Sequence, residues 1–192
     1  MKYRKLILGL LVLVIVVSGI IVIKAFTANR AQEVKMLIVF YSHTGNAKFV
    51  SEQIQTLTGA DVFEIIPVNP YPEDVSAVIE RAGQERELGI LPPLVGRIDN
   101  FADYDVIFLG SPNWFGSLSL PVLSFIDSYD LSGKTVAPFI TFGGGGLMNT
   151  ITDLKALSPN AVILEGFGVS RDDVKNSPPD IAQWLERIGI NK

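Results

Sequence analysis

Hydrophobic positions fall into two regimes along this chain. From Leu6 to Ile23 they run together without a charged residue, broken only by Gly9, Ser18 and Gly19. Beyond residue 35 short apolar runs alternate with stripes at helical spacing. The runs predict strands over Met36–Tyr41, Asp61–Ile66, Val106–Gly110, Thr135–Phe142 and Ala161–Phe167. The stripes predict helices over Asn46–Leu57, Glu73–Glu87, Pro121–Ser128, Leu147–Leu157 and Pro179–Ile188. In the second helix Val75, Val78, Ile79 and Ala82 share one face. Asn69-Pro70-Tyr71-Pro72 reads as a turn, and Leu88–Asn100, with Gly89, Pro92, Pro93 and Gly96, as a loop. Strands separated by helices make an α/β domain: a doubly wound five-stranded parallel sheet flanked by helices.

The first run changes the domain picture. At about 1.5 Å per residue it spans roughly 27 Å, close to a bilayer's hydrocarbon core. It is longer than a signal-peptide core, and Ala25-Phe26-Thr27-Ala28 is a poor cleavage site. β-Branched residues bounded by lysine also suit lipid better than a buried helix. The expectation is one transmembrane helix: residues 1–30 as anchor and short linker, residues 31–192 as the globular domain. Lys2, Arg4 and Lys5 favour an N-terminus inside, which places the domain outside the cytoplasm, although Lys24, Arg30 and Lys35 weaken that bias. Absence of cysteine suits either compartment.

Charge divides at the same boundary. Of 16 basic and 20 acidic residues, five basic ones and no acid lie in residues 1–30, leaving the remainder at about −9. Such a domain repels nucleic acid and anionic lipid. It suits a basic protein partner, or simply stays soluble.

In doubly wound sheets, ligands sit beyond the carboxyl ends of the strands. Three loops there carry chemistry. Ser42-His43-Thr44-Gly45-Asn46-Ala47 joins the first strand to a helix start, where unpaired N–H groups and the helix dipole favour an anion. An ordinary capped turn fits the same residues. Pro112-Asn113-Trp114-Phe115-Gly116 places two aromatics in a loop, as a wall for a flat ring or folded onto the core. Phe142-Gly143-Gly144-Gly145-Gly146 lets backbone approach a ligand closely, or is a flexible turn. His43, the one histidine in the chain, draws a phosphate when protonated or is a solvated loop residue. One histidine and no cysteine leave little scope for soft metal sites or a nucleophilic triad.

Leu37–Ala47, Asp61–Asp74, Tyr104–Gly116 and Tyr129–Gly143 resemble the flavodoxin family, in particular its short-chain bacterial members. The resemblance covers the chain after residue 35. It implies a sheet of order 2-1-3-4-5 and non-covalently bound flavin mononucleotide (FMN). By the resemblance Ser42, His43, Thr44, Gly45, Asn46 and Ala47 hold the phosphate. Pro112, Asn113, Trp114, Phe115 and Gly116 line the isoalloxazine, with a backbone contact to the ring from residues 113–116. Phe142, Gly143, Gly144 and Gly145 approach its other edge. Ala47 departs from the family's hydroxyl residue, so one hydrogen bond to the phosphate is expected to be missing, a loss of roughly 1.5–3 kcal/mol.

The expected function is a membrane-anchored FMN protein that transfers electrons, or reduces a small acceptor such as a quinone. Its partners are the membrane through residues 6–23 and a basic redox protein or small-molecule acceptor. An NAD(P)H-dependent FMN reductase is a second reading, although no Gly-x-Gly-x-x-Gly fingerprint follows any strand. A flavodoxin-fold binding domain that has lost the cofactor is a third.

Overall fold

The structure is a computed structural model and describes residues 34–190. In chain order the elements are β1 (Met36–Phe40), α1 (Asn46–Thr58), β2 (Asp61–Glu64), β3 (Ile66–Pro67), α2 (Val75–Glu87) and β4 (Leu94–Val95). They continue with β5 (Val106–Trp114), β6 (Ser117–Leu118), α3 (Leu120–Ser128), β7 (Thr135–Phe142), α4 (Thr150–Leu157), β8 (Val162–Ile163), β9 (Phe167–Ser170) and α5 (Pro178–Arg187). Among these no helix is long and apolar enough to cross a membrane. The anchor expected at residues 6–23 lies outside the described residues.

The sheet runs β2-β1-β5-β7, and β8 and β9 share the last position against β7. All these pairings are parallel. The expected order 2-1-3-4-5 therefore holds, with the fifth position divided. Alternation along β1 sorts the core into two layers. Leu37, Val39 and Tyr41 join Val78, Ala82, Phe125 and Leu154 of α2, α3 and α4. Ile38 and Phe40 join Val50, Ile54, Ile181 and Trp184 of α1 and α5 on the opposite face. Each fully buried Val, Ile, Leu or Phe side chain among them contributes about 1.5–3 kcal/mol. At Gly110, in the middle of β5, a Cβ would stand 2.2 Å from the Phe139 ring, so glycine leaves space that the neighbouring strand's aromatic fills.

Four expectations are corrected. The fifth strand is not continuous over Ala161–Phe167; it breaks at residues 164–166 and resumes to Ser170. Leu164 N–H donates to Val136 O at 2.9 Å, so Pro138, two residues on, turns its missing N–H toward the same edge. Within the break, Trp184 Nε1 donates to Glu165 O at 2.9 Å. The third strand runs on to Trp114 and folds back as a hairpin with β6, paired Asn113 to Leu118 and Trp114 to Ser117. The predicted second strand divides, and β3 pairs antiparallel with β4 inside what reads as a loop. The fourth helix begins at Thr150 rather than Leu147, because Met148 has φ 45°, outside the helical region.

Candidate functional site

Beyond the carboxyl ends of β1, β5 and β7 lies an open groove of about 430 Å³. That falls within the roughly 300–1,000 Å³ of small-molecule sites.

One end of it is the loop from β1 to α1. Gly45 takes the left-handed conformation (φ 85°) and turns the chain into the helix without a side-chain cap. Phe49 N–H donates to Gly45 O at 3.0 Å and Lys48 N–H to Ser42 Oγ at 3.2 Å. Among the described residues, the N–H groups of residues 43 to 47 donate to no other protein group. The first turn of α1 holds no acidic residue, so nothing there opposes an anion. The hydroxyls of Ser42 and Thr44 border the same loop; Thr44 Oγ1 accepts from Asn46 Nδ2 at 3.3 Å. His43, Thr44 and Asn46 line the groove. Ala47 does not: its methyl is 1% exposed and packs in the core with Val50 and Ile54, so only its N–H is on offer.

The middle is the β5–β6 hairpin. Pro112, Asn113, Trp114 and Phe115 all line the groove. The two turn residues both have positive φ, 55° at Phe115 and 79° at Gly116. Such a two-residue turn matches the twist of the strands. The aromatic pair is thereby split. Trp114 meets Tyr71 edge-on at 4.9 Å, Tyr41 at 5.6 Å and His43 at 6.1 Å. Phe115 stands 48% exposed. Gly116 O accepts from Asn149 N–H at 2.9 Å, so a backbone contact from this turn to a ligand falls to its other groups.

The far side is the glycine loop. Phe142 and Gly143 line the groove; Gly144 and Gly145 do not. Asn113 Nδ2 donates to Gly146 O at 2.8 Å, which ties this loop to the hairpin. Met148 packs over both, close to the space that a Cβ on Gly116 or Gly145 would need.

Several lining residues escape the sequence reading. Val75 and Ile79, read as sharing one helix face with Val78 and Ala82, are 63% and 54% exposed on the groove wall, while Val78 and Ala82 are buried. Their apolar character is visible in sequence, but their direction is not. Thr141 and Arg171 also line the groove. Arg171 follows a strand that the pattern ends at Phe167. Its guanidinium lies over Gly143, where a Cβ would be 3.5 Å away, and its ionic neighbour is the exposed Asp172 at 3.8 Å.

Beneath the wall, burial raises the hydroxyl pKa of Tyr41, with the Arg81 charge opposing. Burial also raises that of Tyr71, and the Glu85 carboxylate that accepts its hydrogen bond adds to the shift. Both hydroxyls keep their protons at any ordinary pH, and that of Tyr71 donates to Glu85.

Sheet order, crossover pattern and a groove at the strands' carboxyl ends define a flavodoxin-like α/β domain. The chain belongs to the flavodoxin family, whose model, described as flavodoxin, matches residues 35–188. A candidate flavoprotein of Bacteroides eggerthii DSM 20697 is 29% identical, over 82% of this chain and 99% of its own, with a TM-score of 0.72. One of Bacteroides uniformis ATCC 8492 is 25% identical over 80% and 98%, at 0.69. A flavoprotein of Lactobacillus acidophilus NCFM, solved in complex with FMN, matches in fold: 22% identity over 78% and 97%, TM-score 0.62.

Proposed function

We propose that this protein is an FMN-dependent redox protein, held at a membrane by residues 6–23, that passes electrons to a basic partner protein or a small acceptor such as a quinone. FMN is the cofactor that the groove fits. The observation that carries the reading is the run of unpaired N–H groups at residues 43 to 47 opening onto an apolar, aromatic-walled groove. A dianionic phosphate satisfies those donors at a helix N-terminus. Trp114, Phe115, Val75 and Ile79 exclude water from a flat heterocycle. Bound there, FMN supplies reversible one- and two-electron chemistry.

This chain's own residues bind and orient. Ser42 and Thr44 would add hydroxyl hydrogen bonds to the phosphate, and His43 adds positive charge when protonated. The hairpin and the glycine loop flank the ring. The acidic remainder of the domain, at about −9, favours docking by a basic partner and lowers the cofactor's potential by repelling added negative charge. The lysine and arginine bias around the anchor favours the extracytoplasmic side.

Purified full-length chain is expected to absorb near about 370 and 450 nm, as oxidised flavins do. Preparations that stay colourless and ignore added FMN would overturn the reading in favour of a binding domain without cofactor. Rapid reduction by NADH or NADPH alone would move the assignment to a nicotinamide-dependent reductase.

A further inference from the structure

The turn Asn69–Pro72, between β3 and α2, supplies none of the groups around the phosphate loop. It is nonetheless gripped from α2. Arg81 Nη1 donates to Pro70 O at 2.8 Å and Nη2 to Asn69 O at 3.0 Å. Its Nε donates to Glu85 Oε1 at 2.8 Å, one helical turn on. The guanidinium carbon stands 4.1 Å from the centroid of the Tyr71 ring. Tyr71 OH donates to the second oxygen of Glu85. The ring is therefore fixed by a cation on its face and a carboxylate at its hydroxyl. It is 7% exposed, and it meets Trp114 at 78°. Trp114 in turn touches His43, which borders the phosphate loop.

We propose that Arg81 is a positioning residue for the cofactor site: by locking Tyr71 it sets the plane that Trp114 presents to the groove. The inference rests on the FMN reading above and extends it to a residue that does not line the groove. Arginine suits the task because one planar fork serves two carbonyls, a carboxylate and a ring face together; lysine offers a single charged point. The pair is shielded, with side-chain exposures of 28% for Arg81 and 16% for Glu85, so its geometry is held more firmly than that of a surface pair.

The test uses the full-length chain and four variants: Arg81→Gln, Arg81→Lys, Trp114→Phe, and Arg81→Gln with Trp114→Phe. FMN affinity is read by flavin fluorescence, and ring orientation by the visible circular dichroism of the bound flavin. Arg81→Gln is expected to weaken FMN by about tenfold, the order of one hydrogen bond to a charged group, and to alter the visible dichroism. Arg81→Lys follows it in direction, and stands in for it should Arg81→Gln fail to fold. In the Trp114→Phe background the Arg81→Gln effect disappears, as coupled sites require. Unchanged affinity and dichroism with only a lower melting temperature would make Arg81 a stabilising residue and nothing more. Simple additivity with Trp114→Phe would overturn the route through the indole. Near-UV dichroism of the flavin-free chain separates the two readings. A wild type that binds no FMN sinks the cofactor, yet a tryptophan signal that Arg81→Gln changes only when Trp114 is present still supports the lock.

Discussion

Phe115 holds a left-handed backbone conformation that costs a bulky residue about 1–2 kcal/mol. Its ring is nearly half exposed, so packing returns little of that cost. Strain kept at the rim of a groove points to use there. Phe115→Asn is expected to raise the unfolding free energy of the flavin-free chain by about 1 kcal/mol, because asparagine tolerates this conformation. The same change should weaken FMN. Urea unfolding beside an FMN titration checks both halves, and a variant that gains stability without losing affinity would deny the ring its role. The sequence announces Phe115 as an anomaly, an aromatic beside tryptophan and glycine. It cannot show that the two rings part company, because that follows from positive φ values set by the pairing of Trp114 with Ser117. Ala47 carries a related lesson. Read in sequence it is a missing phosphate ligand; in the fold its methyl fills the core under α1. A hydroxyl there would be largely desolvated unless a ligand engaged it.

At the scale of elements, the hairpin and the glycine loop act as a pair. They are joined by Asn113 to Gly146 O and by Asn149 N–H to Gly116 O. Removing the first tie with Asn113→Ala should weaken FMN by about fivefold, the order of one neutral hydrogen bond, with little change in melting temperature. Equal affinities in the two proteins would show that the loops hold their places independently. The long elements were legible, because apolar runs and helical stripes depend on local sequence; the order of the strands came from the family resemblance. What escaped were pairings of two residues, Ile66–Pro67 with Leu94–Val95 and the return strand Ser117–Leu118. No periodicity can declare itself over so short a span. The break in the last strand escaped for another reason: its cause, Pro138, lies in the neighbouring strand, more than twenty residues earlier.

For the whole molecule, the buried tyrosines tie stability to alkaline pH. Tyr41 and Tyr71 have folded-state pKa values raised above the value of about 10 that they carry when unfolded. Their contribution is therefore complete below pH 10 and is lost as pH rises beyond it, since the unfolded chain then releases protons that the fold retains. Stability should fall by about 1.4 kcal/mol per pH unit for each of the two. Tyr71→Phe should remove one share of that slope, though not the whole of it. Urea midpoints measured from pH 8 to 11 read this directly, and parallel curves for the two proteins would refute it.

The interrupted last strand has a consequence for copies of the protein rather than for its ligand. An outer strand of two residues, a gap and four more gives a neighbouring molecule no continuous ladder of N–H and C=O groups to join. The other outer strand, β2, is four residues long and begins and ends on an acid. Many copies crowded onto a small area would meet along borders that cannot zip together, so the domain resists growing into a fibril without a separate guard.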